Sequence, residues 1–71
     1  MTKAVLKKFG KHLRQLRHDR ELTQEQLADK CSVDTTYIGR LERGEQAVSL
    51  TKAVALAKGL SVSVEELFRG L

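Results

Sequence analysis

Residues 23–44 read Thr-Gln-Glu-Gln-Leu-Ala-Asp-Lys-Cys-Ser-Val-Asp-Thr-Thr-Tyr-Ile-Gly-Arg-Leu-Glu-Arg-Gly, and this stretch restricts the fold more than any other. It holds two helix starts in succession. Thr23 is placed to cap a first helix, and Gln26, three residues on, completes a capping box. Leu22 before the cap and Leu27 after it stand at the spacing of a hydrophobic staple. The device then repeats, with Asp34 as cap and Val33 and Ile38 as staple. The spacing therefore predicts helices over about Gln24 to Cys31 and Thr35 to Arg43, joined by a tight turn. Gly44 stops the second at the position where a left-handed residue is favoured. Leu27, Ala28, Cys31, Val33, Ile38 and Leu41 turn inward together, and small Ala28 lets the two helices approach closely.

What this packing leaves outside is the first turn of the second helix: Thr35, Thr36 and Tyr37, then Gly39 and Arg40. These are mostly hydrogen-bonding side chains with little reason to be buried. A braced helix that presents its first turn in this way is the helix-turn-helix arrangement, whose second helix enters a DNA major groove. Arg40 is the outward-facing long donor on that helix, suited to the O6/N7 edge of guanine. Threonine hydroxyls serve several bases, and their methyls pack on thymine. Tyr37 has a second use available, packing over the first helix of the chain.

The rest of the chain supplies support. Leu6, Phe9, Leu13 and Leu16 recur at three- and four-residue intervals and predict a helix from about Ala4 to Asp19, with Thr2 and Lys3 frayed. Arg17 lies one residue off that stripe, so its head group needs a partner. Glu21 falls where a left-handed cap would favour glycine, as does the glycine-free turn Cys31-Ser32-Val33. Ser49 is the expected cap of a fourth helix that ends at Gly59 and uses Leu50, Ala53, Val54, Ala57 and Leu60 on one face. Ser63 and Glu66 form a second capping box, with Val62 and Leu67 as staple, and open a short fifth helix from about Val64 to Arg69. Neither a repeat nor a linker is visible, so residues 1–71 read as a single all-α domain with the helix-turn-helix at 23–44.

Composition narrows the function classes. With 71 residues there is room for one small core and little for a catalytic pocket. No nucleophile–base pair or phosphate-binding glycine loop occurs, and His12 and His18 are wrongly spaced for one metal-binding face. An enzyme, a metal site, a cofactor and a small-molecule ligand are not expected. One cysteine, Cys31, cannot form an internal disulfide and reads as a small core residue. With neither a signal peptide nor a membrane-length apolar run, the expected address is the cytoplasm. The net charge is +4, but residues 1–20 carry seven cationic side chains against Asp19 alone. That first helix suits a polyanion, although charge runs are most often solvated faces.

The helix order, the Thr23-Gln24-x-x-Leu27-Ala28 run, Tyr37-Ile38, Leu41-Glu42-Arg43-Gly44 and the later Ala55-Leu56-Ala57-Lys58-Gly59-Leu60-Ser61-Val62 resemble the Cro/C1-type (XRE) family of transcriptional regulators. The likeness runs from about Phe9 to Phe68. The Asp34-to-Ile38 segment is also similar to the controller proteins of restriction–modification systems. The resemblance implies a five-helix, lambda-repressor-like domain that binds double-stranded DNA as a homodimer. By position it implies that Gln24 contacts a phosphate and braces the second helix. Thr35, Thr36 and Arg40 would meet base edges, and Tyr37 the backbone or a thymine methyl. Arg43 and the backbone near Val48 and Ser49 would hold flanking phosphates, although Arg43 serves equally as counter-charge to its own helix end. It further implies that Arg17 and Glu42 pair. Glu21 and Ser32 stand where relatives often carry glycine, and Thr35 where controllers often carry arginine.

Val62, Val64, Leu67, Phe68 and Leu71 are more apolar than a short terminal helix needs, and the surplus is the expected dimer surface. Two other readings compete. An antitoxin of a toxin–antitoxin pair would copurify with a second small protein. A protein-interaction adaptor would show no salt-sensitive binding to duplex.

Overall fold

In the computed structural model, which describes residues 2–71, five helices follow one another: α1 (Lys3–Asp19), α2 (Gln24–Cys31), α3 (Thr35–Glu42), α4 (Leu50–Gly59) and α5 (Val64–Leu67). No strand occurs among the described residues. The all-α expectation holds, and the helix boundaries differ from it only at the ends.

Local chemistry accounts for most of these ends. Thr2 starts α1 one residue early by accepting the amide of Val5 at 3.2 Å. At α2 both halves of the capping box form: the Gln26 amide donates to Thr23 Oγ1 at 3.0 Å, and the Thr23 amide to Gln26 Oε1 at 2.8 Å. Ser49 and Ser63 cap α4 and α5 through the amides of Lys52 and Glu66. Two expected devices are incomplete. Asp34 holds the cap position of α3 but its side chain makes no capping bond. The Ser63–Glu66 box is one-sided, because the Glu66 carboxylate turns instead toward Arg69, with Nε to Oε2 at 3.0 Å. Helix α5 is a single turn.

The helix ends share one closure. Leu22, Val33, Glu45 and Val62 each donate an amide back to the carbonyl five residues earlier, on Arg17, Ala28, Arg40 and Ala57. The residue before each is left-handed: Glu21 (φ 54°), Ser32 (φ 55°), Gly44 (φ 72°) and Ser61 (φ 58°). This is the Schellman arrangement. Glu21 and Ser32 thus adopt the conformation expected at those positions, and Ser61 adds a third non-glycine case.

The core gathers Phe9, Leu13 and Leu16 from α1, Leu27, Ala28 and Cys31 from α2, Ile38 and Leu41 from α3, and Ala53, Leu56 and Ala57 from α4, with Leu60 and Leu67. One expectation fails at α4. Leu50 is 77% exposed and Val54 37%, while Leu56 is fully buried. The inward stripe is Ala53-Leu56-Ala57-Leu60, which has the same helical spacing as the expected one but is rotated toward Leu56. The buried face includes small Ala53 and Ala57, and α4 comes close to α2 at Gly59. A β-carbon on Gly59 would stand 2.5 Å from Cys31 Sγ. Burial in this contact pushes the Cys31 thiol pKa up, with Lys30 partly opposing it.

Candidate nucleic-acid interface

Helix α3 is held from behind at its C-terminal end. Arg17 of α1 reaches Glu42 with two donors, Nε to Oε2 at 2.7 Å and Nη2 to Oε1 at 3.0 Å. Its third nitrogen, Nη1, donates to the Leu22 carbonyl at 2.8 Å. Gln24, the first residue of α2, adds Nε2 to Glu42 Oε1 at 3.0 Å. The pair is nearly dry, with side-chain exposures of 9% for Arg17 and 4% for Glu42. Both charges are hydrogen-bonded several times over, which a buried ion pair requires to offset its desolvation. The Arg17–Glu42 pairing is therefore present, and it explains why Arg17 sits off the apolar stripe. Close backbone approach helps: Gly10 lets α1 cross the end of α3, and a β-carbon there would meet the Leu41 and Glu42 carbonyl oxygens at 2.5 Å.

Ile38 and Leu41 are fully buried, so the opposite face of α3 is turned outward. Thr35, Thr36 and Arg40 are exposed on that face. No intramolecular side-chain hydrogen bond occupies any of them among the described residues. Tyr37 is half-buried at the edge, where it lines an open hollow with Ser32, Val33, Asp34 and Lys52. Burial raises its hydroxyl pKa, and a hydrogen bond with the Ser49 backbone partly offsets the rise. Tyr37 thus lies between the start of α3 and Lys52 of α4, with its ring packed against the core.

The remaining expected positions are already engaged. Gln24 is half-buried and spends one amide hydrogen on Glu42, so its bracing role is visible directly. The Ser49 hydroxyl caps α4 and lies 3.4 Å from Thr51 Oγ1. Arg43 binds Glu45, Nε to Oε2 at 2.8 Å and Nη2 to Oε1 at 3.3 Å, and its Nη1 lies 3.0 Å from where a β-carbon on Gly39 would be. The contact raises the Arg43 pKa and holds the Glu45 carboxyl below its ordinary value.

At the C-terminus the expected patch divides. Leu67 is fully buried, and Phe68 stacks on Phe9 with ring centroids 5.4 Å apart. Leu67 belongs to the core and half-buried Phe68 packs against it, because α5 lies over the middle of α1, where the Glu66 carbonyl also meets His12. Val62 is half-buried against that core. Val64 at 37% and Leu71 at 45% remain exposed.

This geometry has relatives. A family model for the helix-turn-helix domain matches residues 8–69. Control protein C.SmaI of Serratia marcescens is 42% identical over 59 residues, covering 83% of this chain and 70% of that protein. Control protein C.BamHI of Bacillus amyloliquefaciens is 37% identical over 68 residues, covering 94% and 84%. The crystal structure of the restriction-modification controller protein C.AhdI from Aeromonas hydrophila aligns with a TM-score of 0.90 at 45% identity, covering 92% of this chain and 98% of that one. The chain belongs to the helix-turn-helix controller proteins.

In this controller-family chain, two cations near the interface escaped the sequence reading of site residues. Lys52 borders the hollow beside Tyr37, three residues after the α4 cap. Lys7 packs under the loop after α3, where a β-carbon on Gly44 would stand 2.9 Å from Lys7 Cγ. Only the tertiary contact singles out Lys7 among the helix-1 lysines. His12 is occupied otherwise, its Nε2 hydrogen-bonded to the Glu66 carbonyl at 2.8 Å. Among the described residues no cluster of His, Cys, Asp or Glu is placed to hold a metal ion, and no helix is long and apolar enough to cross a membrane.

Proposed function

We propose that this controller-family protein is a sequence-specific transcriptional regulator that binds a partly palindromic operator as a homodimer and times the genes of a restriction–modification system. The observation that carries the reading is the outward face of α3. Thr35, Thr36 and Arg40 are exposed and unoccupied there, on a helix pinned from behind by the Arg17–Glu42–Gln24 network. A recognition surface needs this combination: donors free for base edges, on a helix already held in place, which reduces the ordering cost of binding.

On this reading Thr35 and Thr36 meet bases from the first turn, and Arg40 reaches a guanine one turn on. Tyr37, Gln24, Arg43 and the start of α4 at Ser49 line the phosphates. A two-fold dimer sets its two α3 helices ~34 Å apart, matching half-sites one duplex turn apart. Its surface is built from the exposed Val64 and Leu71, extended by Leu50 and Val54 of α4, rather than from Leu67 and Phe68. The protein acts in the cytoplasm, without catalysis or cofactor, by occupying DNA.

Selection from random duplexes near physiological salt tests the proposal. Retention of an inverted repeat with half-sites about ten base pairs apart supports it. A folded protein that enriches no sequence, and shows no salt-sensitive titration, overturns it in favour of an adaptor. Enrichment only after addition of a copurifying small protein points to an antitoxin.

A further inference from the structure

Helix α1 turns one edge toward the end of α3 and the loop that follows, through the close approaches at Gly10 and between Gly44 and Lys7. Just outside that edge run Lys3, Lys7, Lys11, Arg14 and His18, at steps of four, four, three and four residues. At 100° per residue they form one stripe along the helix, on the flank beside α3. All five are exposed. None makes a salt bridge or side-chain hydrogen bond among the described residues. Apart from Arg40 on the outward face of α3, the arginines elsewhere behave differently: Arg17, Arg20, Arg43 and Arg69 each bind a carboxylate or a carbonyl. The one carboxylate of α1, Asp19, lies off the stripe, about 100° around the helix from His18, and accepts from Gln15 at 2.8 Å. Glu45, in the adjoining loop, is already neutralised by Arg43.

From this we infer that the α1 flank is a second phosphate-binding strip, which engages duplex beyond the half-site read by α3. The inference rests on the proposed DNA binding. The strip continues the line from the outer end of α3 through the Arg43 loop, so it meets backbone past the wall of the groove that α3 enters. Lysines unoccupied in the free protein lose no internal partner on binding, and each phosphate neutralised releases condensed counterion. Phosphate contacts of this kind add affinity and orientation without reading sequence.

The test compares two duplexes carrying the selected site, one trimmed to the site and one extended by about ten base pairs on each side. Binding is titrated across a salt series for wild type, for Lys3→Gln/Lys7→Gln/Lys11→Gln, and for a control of equal charge, Lys8→Gln/Lys30→Gln/Lys58→Gln. Glutamine keeps helix propensity at these exposed sites, and circular dichroism verifies the fold. The expected result is that the flank variant loses at least about tenfold on the extended duplex, with a salt slope smaller by about 0.9 for each contact removed. On the trimmed duplex it stays within about twofold of wild type, and the control triple tracks wild type on both. Equal losses on both duplexes, equal losses in the control, or no loss at all would each overturn the strip while leaving α3 recognition intact. Failure of wild type to bind either duplex overturns both.

Discussion

Glu42 ties three helices together, since Arg17 of α1 and Gln24 of α2 both donate to its carboxylate at the end of α3. Glu42→Ala leaves the Arg17 guanidinium buried without a counter-charge, and should lower unfolding stability by about 3 kcal/mol in urea titration. A loss within a few tenths would mean that Arg17 finds water instead. Arg40 carries no such duty, so Arg40→Ala should keep its melting temperature and relax discrimination at one or two base positions by about 1–3 kcal/mol. A sharp drop in melting temperature would make Arg40 structural. Arg43 and Glu45 form an exposed pair in which the folded carboxyl pKa lies below its unfolded value. The stabilisation is therefore present at neutral pH and disappears as pH falls through the folded pKa. Carboxyl NMR should place the Glu45 midpoint below that of an ordinary glutamate, and Arg43→Gln should restore it. An unmoved midpoint in the variant would show that Arg43 is not the cause.

Between elements, one residue repeatedly serves two helices. Leu22, Val33 and Val62 each close the helix behind by a backbone bond and stand just before the cap of the helix ahead. A left-handed residue, an apolar residue and a cap make the whole connection, which is why α1–α2, α2–α3 and α4–α5 turn so tightly. The α3–α4 link breaks the pattern with polar Glu45 and opens into the loop that frames the interface. Three of the left-handed sites carry side chains at a conformational cost. Ser61→Gly should therefore raise stability by up to ~1 kcal/mol in denaturant melts. Destabilisation would mean that the Ser61 side chain holds a contact worth more than its backbone strain.

At the scale of the molecule, the core is closed by Leu67 and by Phe68 on Phe9, which leaves Val64 and Leu71 as free apolar surface beside α4. For the proposed dimer, Val64→Lys should raise the dissociation constant in sedimentation by about tenfold or more, since 1.4 kcal/mol is a factor of ten. The monomer should keep its fold, because Val64 opens α5 at its surface. An unchanged constant would place the interface on Leu50 and Val54 of α4 instead.

Sequence alone determined the starts of α2 to α5, the left-handed turns at Glu21 and Ser32, the outward Thr35, Thr36 and Arg40 of α3 (though Gly39, expected beside them, is buried) and the partner of Arg17. These rest on interactions within a few residues, on a strict 3.6-residue period, or, for the Arg17–Glu42 pair, on likeness to a known family. The tertiary structure decided what local pattern leaves degenerate. Leu50 and Leu56 fit equally good stripes on α4, and only the docking of α4 on α2, close at Gly59 and Cys31, chose between them. Phe68 reads as surplus until Phe9 is seen opposite it. The Arg43–Glu45 contact and the alignment of the α1 cations beside α3 depend on how separate elements meet. Spacing along one helix carries no information about the neighbour across from it, and that neighbour turns a row of lysines into a flank of the candidate interface.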